Sequence, residues 1–236
     1  MDEKVGLNIF RYDPSCDAEP RYERYEVPYW KGMSVLNCLE YVNKIYEPIA
    51  FQSDCKRYIC GSCTVKLNGT PVLACKRKIA PSEIKQRLKI EPLTCLPLIK
   101  DLMVDFSEDL RARSRLRPSP ENLEPVDGLE PKLESTQYEQ QKPYALCIRC
   151  YACLEVCPAV KKVESKFIGP LLMQDIARLS VDKRDGANRF IEAVKEGLQE
   201  CKGCPKICNT VCPVGLDVYG ISIQRVVGVL KKSGQI

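Results

Sequence analysis

Fifteen cysteines in a 236-residue chain, most of them separated by two to four residues, constrain this sequence more than any other feature. Twelve fall into three groups: Cys55, Cys60, Cys63 and Cys75; Cys147, Cys150, Cys153 and Cys157; Cys201, Cys204, Cys208 and Cys212. Thiols so close in sequence are poorly placed to pair with each other, because a disulfide needs converging Cβ vectors at about 3.5–4.5 Å. A disulfide scaffold is also usually a small secreted chain with a signal segment. The opening Met1-Asp2-Glu3-Lys4-Val5 has no basic-then-apolar character and reads as unprocessed. Metal is the alternative. The chain has no histidine, which excludes Rieske centres, histidine-containing zinc fingers and His-ligated haem. A thiolate-only metal protein remains, and spacing must choose between iron and structural zinc.

The first group is spaced C-x4-C-x2-C, with Cys75 after eleven intervening residues. This is the plant-type [2Fe–2S] arrangement, in which one tight loop and one outlying anchor supply four thiolates. Zinc loops favour paired C-x2-C knuckles instead. Gly61 lets the backbone approach, so that N–H groups can donate to the sulphurs. The adjacent Lys76-Arg77-Lys78 would either compensate cluster charge, dock a partner, or form a solvated surface.

The second group, ending in Cys157-Pro158, is C-x2-C-x2-C-x3-C-P, the bacterial ferredoxin run. In such runs the fourth cysteine ligates the other cluster. A second run is therefore required, and Cys201, Cys204, Cys208 and Cys212-Pro213 provide one. Crossing the last members assigns a [4Fe–4S] cubane to Cys147, Cys150, Cys153 and Cys212. The remaining set is Cys157, Cys201, Cys204 and Cys208. That second run is one residue longer in its middle. Four thiolates favour a [4Fe–4S] third cluster, whereas three, without Cys204, would hold [3Fe–4S]. Cys16, Cys38 and Cys95 stand alone, and Cys38 reads as a small buried hydrophobe.

Around these motifs the chain reads as α+β. Residues 5–11 and 21–28 alternate as strands about a turn at Asp13-Pro14, and Ser34 reads as the N-cap of a helix to about Tyr46. Thr64–Leu67 and Val72–Leu73 flank Asn68-Gly69 as a hairpin. Prolines between Pro118 and Pro143 indicate a linker. Beyond it, Pro170–Leu179, Ala187–Leu198 and Val214–Leu230 carry helical periodicity. The expected division is a ferredoxin-like domain over 1–112, a linker over 113–143 and an all-α domain with two clusters over 144–236. A net charge of +5 is too small and too mixed to argue for nucleic acid. No stretch approaches eighteen uncharged apolar residues, so a cytosolic chain, or one held at a membrane through partners, is expected.

The ensemble resembles the iron–sulphur subunit of succinate dehydrogenase and fumarate reductase over nearly its whole length. The residues that carry this are IFRYDP (Ile9–Pro14), CKRYICGSCTVKLNGTPVLAC (Cys55–Cys75), LPLIKDLMVDFS (Leu96–Ser107), FIGP (Phe167–Pro170) and DKRDG (Asp182–Gly186). The resemblance implies a β-grasp [2Fe–2S] domain followed by an all-α bacterial-ferredoxin-type domain. It also implies a separate FAD-containing flavoprotein subunit that acts on succinate or fumarate, while this chain relays single electrons and binds no substrate. The first cluster would face the flavin, and the third would lie toward a membrane anchor subunit with its quinone. The chain would then be peripheral, on the cytoplasmic side of the cell membrane. Family members commonly carry a tryptophan just beyond the position of Pro158, where this chain has Ala159, Val160, Lys161 and Lys162. Many have a histidine where Lys202 stands. These departures bring the chain nearer to thiol-linked fumarate reductases or archaeal-type succinate dehydrogenases. A related flavin-dependent reductase with another substrate is the alternative, and a structural zinc protein the remote one.

Overall fold

Alternation in the first eight strand residues places Val5, Leu7 and Ile9 on one fully buried face of β1 (Lys4–Arg11). The computed structural model describes residues 3–121, 134–162, 164–201 and 203–232, with side chains described as far as 228. β2 (Arg21–Pro28) runs antiparallel to β1 along its length, from Lys4 opposite Pro28 to Arg11 opposite Arg21. The turn between them is held by Asp13, whose Oδ1 accepts from the Ser15 N–H at 2.9 Å.

The helix α1 (Val35–Ile45) begins at Ser34 as the sequence predicts. Ser34 Oγ accepts from Asn37 N–H at 3.2 Å, and Asn37 Oδ1 accepts from Ser34 N–H at 2.9 Å. Val35, Leu36, Cys38, Leu39 and Val42 form its buried face. Cys38 is fully buried there, and burial pushes its thiol up to about 12. Ile45 and Tyr46 are exposed, so the apolar periodicity outlasts the packed face by one turn.

The hairpin of β3 (Thr64–Leu67) and β4 (Thr70–Leu73) turns through Asn68 and Gly69, both left-handed. β5 (Arg87–Glu91) completes the sheet in the order β2-β1-β5-β3-β4, parallel to β1 and antiparallel to β3. Sequence reading passed over β5, although Leu88 and Ile90 alternate and are both fully buried. A central parallel strand in an otherwise antiparallel sheet, with α1 crossing between its halves, is the β-grasp arrangement that the resemblance implied. A short ribbon, β6 (Leu98–Lys100) and β7 (Met103–Val104), follows. It is tied to β1 by buried Arg11, which donates to Asp101 Oδ1 at 3.0 Å, to Tyr25 Oη at 2.8 Å and to Pro48 O at 3.0 Å. These strands, with Ile148–Glu155, form one compact unit.

The second unit comprises Ser107–Cys147 and Val156–Ile236. Its described elements are helical: Ser107–Arg115, Ser135–Ala145, Pro170–Ser180 and Arg189–Lys195, then a 3-10 turn at Leu198–Cys201. One turn at Ile207–Thr210, a π-helical stretch at Tyr219–Gln224 and helix Arg225–Lys232 follow. Leu172, Met173, Ile176, Ala193, Ile223 and Val226 pack into a core that also contains Cys157 and Cys201. Three expectations need correction. Helix Ser135–Ala145 begins inside the segment read as a linker over 113–143 and runs past its end, with Pro143 in its last turn and Tyr144 Oη donating to Ile221 O at 2.9 Å. Residues 122–133 of that segment lie outside the described residues. The helix expected over 187–198 stops at Lys195, because Gly197 adopts φ +81° and packs with its Cα against the backbone of Lys166 and Phe167. The helix expected from Val214 starts only at Val218, because Gly215 at φ +74° and Leu216 turn back toward Cys212.

Candidate metal centres

The hairpin β3–β4 is what brings two distant cysteines of the first group together. Register places Thr64 opposite Leu73, so Cys63 and Cys75 sit just outside that pair, with their sulphurs 3.3 Å apart. The loop before them coils through left-handed residues at Lys56, Tyr58 and Gly61. This conformation aims successive N–H groups inward. Arg57 and Cys60 N–H each donate to Cys55 Sγ at 3.4 Å, and Tyr58 N–H donates to Cys75 Sγ at 3.2 Å. The Arg57 and Cys60 donors hold the Cys55 thiol down at about 7, whereas burial pushes Cys63 up to about 12. Four thiols in one loop-plus-anchor set, with N–H groups aimed at their sulphurs, fit a [2Fe–2S] group. Among the described residues no two cysteines are joined in a disulfide, which argues against the disulfide-scaffold reading. Beside the site, Arg77 pairs with Glu83.

Gly61 does more than admit a turn. A Cβ there would collide with Ile148 O and lie 2.9 Å from Cys150 Cα. The first cysteine loop therefore rests on the backbone of the second run within the same compact unit. Gly61→Ala is expected to cost more than the ~1–2 kcal/mol of a left-handed L-residue, because backbone must also move. Chemical denaturation and the iron-to-protein ratio check this, with both falling together.

Within the second run, Arg149 and Tyr151 are left-handed, and they alternate with the cysteines as Tyr58 and Gly61 do in the first loop. Cys150 is buried, and Cys147, Cys153 and Cys212 are half-buried. Cys147 and Cys212 belong to the second compact unit, whereas Cys150 and Cys153 belong to the first. Leu216 N–H donates to Cys212 Sγ at 3.4 Å.

Sequence reading missed Glu155, an acid between Cys153 and Cys157 in an otherwise apolar stretch. It is 2% exposed and accepts from Thr94 N–H at 2.7 Å, Thr94 Oγ1 at 2.7 Å and Cys95 N–H at 3.0 Å. Lys66 Nζ stands 3.7 Å away. Burial alone would raise its carboxyl, but the bonds from Thr94 and Cys95 outweigh burial and hold it below the ordinary range. Glu155 thus fastens the end of Ile148–Glu155 to the first unit. The sign of its pH dependence follows. A depressed folded value adds stability that is complete above the unfolded value of about 4.3 and is lost as pH falls through the folded one. Glu155→Gln is expected to lose about 1–3 kcal/mol at neutral pH, the penalty of an imperfectly satisfied buried group. It should also flatten the acid limb of a stability-against-pH curve measured by urea titration.

The third set is gathered inside the second unit. Cys157, Cys201 and Cys208 are buried and Cys204 is half-buried. Burial pushes Cys201 up to about 12, reinforced by the neighbouring Cys157, Cys204 and Cys208 thiols. Burial likewise pushes Cys208 up to about 11, with Cys204 and Cys157 adding to it, and raises Cys157, with Cys204 among its neighbours. Buried thiols crowded in this way hold their protons where solvent is thin, and metal coordination relieves that crowding. This donor set also fits an iron–sulphur group. Locally, Gly203 and Lys206 are left-handed, and they wrap the chain from the turn Leu198–Cys201 into the turn Ile207–Thr210. Lys202 lies outside the described residues.

Comparison with known proteins agrees with this layout. A family model described as a 2Fe-2S iron-sulfur cluster binding domain matches residues 6–111, and one described as a 4Fe-4S dicluster domain matches residues 144–216. The chain is 36% identical over 222 residues to a fumarate reductase (CoM/CoB) chain of Methanothermobacter marburgensis, covering 94% of this chain and 43% of that protein. It is 39% identical to an uncharacterized iron-sulfur protein of Methanocaldococcus jannaschii, covering 42% of it. The chain thus spans less than half the length of these relatives. Against the fumarate reductase iron-sulfur subunit of Mycobacterium tuberculosis it is 30% identical, with 95% of this chain and 92% of that protein covered. The fold is shared with a chain of the Mycobacterium smegmatis Sdh1 complex in the apo form, at a TM-score of 0.90 and 23% identity, covering 100% of this chain and 99% of that one. Matched over 95% of its own length and 92% of a relative of that kind, the chain belongs to the fumarate reductase iron–sulphur subunit family.

Proposed function

We propose that this chain is the electron-transfer subunit of a fumarate reductase/succinate dehydrogenase-type oxidoreductase, relaying single electrons between a FAD subunit and a second redox site. The observation that carries this reading is the match to a fumarate reductase iron-sulfur subunit over 95% of this chain, and the cysteine spacing supports it. Cys55, Cys60, Cys63 and Cys75 would hold the [2Fe–2S] cluster. Cys157, Cys201, Cys204 and Cys208 would hold the third, a [4Fe–4S] cluster. For the middle [4Fe–4S] cluster the support is the spacing of Cys147, Cys150, Cys153 and Cys212. Bound clusters supply one-electron storage at potentials that charge, hydrogen bonds and solvent exposure set. The chain's own residues bind thiolate-side, donate N–H groups to the sulphurs and keep water out.

The substrate would be bound by the flavoprotein, so this chain carries no catalytic residue of its own. Among the described residues no helix is long and apolar enough to cross a membrane. Attachment would therefore come through partners, on the cytoplasmic face and close to a membrane quinone. A second reading replaces quinone by a thiol. It is favoured by the identity with a relative named for CoM/CoB and by Ala159–Lys162 standing where a tryptophan is usual.

Purification of the chain with its partners tests the reading. Iron and sulphide should be present with flavin, and three distinct paramagnetic centres should appear on stepwise reduction. Zinc without sulphide would refute it. Turnover with succinate and fumarate, using a quinone or a thiol as the second substrate, separates the two readings.

A further inference from the structure

Among the described residues of the C-terminal helices, Tyr219 is the aromatic side chain that packs beside the third thiol set, and nothing in the cluster motif calls for it. The ring lies against the core that contains Cys157 and Cys201. Burial raises its phenol, and the neighbouring Cys201, Cys204 and Cys208 add to this. Its backbone N–H donates to Asn209 Oδ1 at 2.8 Å, and the same oxygen is 3.8 Å from Cys208 Sγ. Asn209 is itself held by its amide, which donates to Asp217 Oδ1 at 2.5 Å. On the outer side, Lys206 Nζ sits 4.8 Å from the ring centroid. Lys206 lies between Cys204 and Cys208 in sequence and is left-handed, so the loop that carries two thiols also presents this ammonium. Tyr219 opens the π-helical stretch, where the N–H of Arg225 reaches back to Gly220 O. Such wide turns displace side chains from their ordinary helical positions and recur at functional sites.

We propose that Tyr219 and Lys206 form a cover over Cys201, Cys204 and Cys208, the ring excluding water and the ammonium placing a fixed positive charge beside the cluster held there. Both are positioning residues, since neither is a ligand. This rests on the reading of the third set as an iron–sulphur site and names what tunes it. A reduced cluster carries one more negative charge than an oxidised one. A nearby cation therefore favours reduction and raises the midpoint, whereas exclusion of water disfavours it. Other charges near the set include Lys161 beside Cys157, Glu200 beside Cys201 and paired with Lys162 at 3.1 Å, and Asp217, engaged by Asn209 and Gly220 N–H. Among the described residues, Lys206 is the cation over the ring.

The test uses the full chain in its complex, with redox titration followed by EPR and deuterium modulation after transfer to heavy water. Lys206→Gln, an exposed change, should make reduction of the third cluster harder by threefold to tenfold, at most about 59 mV for one electron, and leave the [2Fe–2S] midpoint in place. Tyr219→Phe should behave as the unsubstituted protein. Tyr219→Leu should deepen the deuterium modulation of the third cluster or selectively lose that cluster. An unmoved midpoint in Lys206→Gln, or unchanged modulation in Tyr219→Leu with the cluster intact, overturns the cover. Absence of any third-cluster signal in the unsubstituted complex overturns the underlying reading instead, and the cover with it.

Discussion

Arg189→Met is expected to destabilise the helical unit by about 3–5 kcal/mol, the range found when one partner of a buried ion pair is removed. Arg189 is 1% exposed and satisfies its donors completely. Nε donates to Asp185 Oδ2 at 2.7 Å, and Nη1 to Leu116 O and Glu192 Oε2, each at 3.0 Å. Nη2 donates to Asp185 Oδ1 and Ser119 O, each at 3.1 Å. Methionine fills much of the volume but leaves the Asp185 carboxylate, itself 1% exposed, without its cation. It also releases the carbonyls that fix the chain as it leaves helix Ser107–Arg115. Arg189→Lys keeps the charge but not the planar fork, and should fall between the two. Urea denaturation followed by far-UV circular dichroism checks the order of the three proteins. Equal midpoints for Met and Arg would show that the network contributes nothing net.

Cys204→Ser is expected to change the nuclearity of the third cluster. Four thiolates close a cubane, and removal of the one half-buried member leaves the buried Cys157, Cys201 and Cys208. Those three suffice for [3Fe–4S]. The substituted protein should contain one iron fewer per chain and show a new oxidised-state EPR signal of the three-iron type, with the [2Fe–2S] signal unaltered. Cys201→Ser, by contrast, should empty the site, because it removes a buried ligand from the turn that carries the set. A three-iron signal already present in the intact protein, and indifferent to Cys204→Ser, would show that Cys204 is not a ligand.

Much of the fold was legible in the sequence. β1, β2, α1 and the β3–β4 hairpin follow from short-range causes: alternation, a serine N-cap and an Asn-Gly turn. Each acts within a few residues. β5 escaped notice because it is short and follows an irregular stretch, and its place in the middle of the sheet depends on pairing with β1, some eighty residues earlier. The helix from Val214 was drawn too long because Gly215 and Leu216 serve Cys212 rather than helical periodicity. Glu155 and Arg189 were invisible as a class. A lone acid or base in a sequence is usually on a solvated face, and only its partners reveal that it is buried.

Apolar periodicity determined the division into a strand-rich and a helical half, and the cysteine spacing by itself determined the kind of chemistry and the number of thiol groups. It could do so because ligand loops are local objects whose geometry is written in residue counts. Only the tertiary structure decided which charged side chains are buried, Glu155 against Thr94 and Cys95, and Arg189 against Leu116 O and Ser119 O. Only it showed that Gly61 rests on the backbone at Ile148 and Cys150, and that Tyr219 lies against the core containing Cys157 and Cys201. Those are contacts between residues far apart in sequence, and the packing of whole elements, not spacing along the chain, brings such residues together.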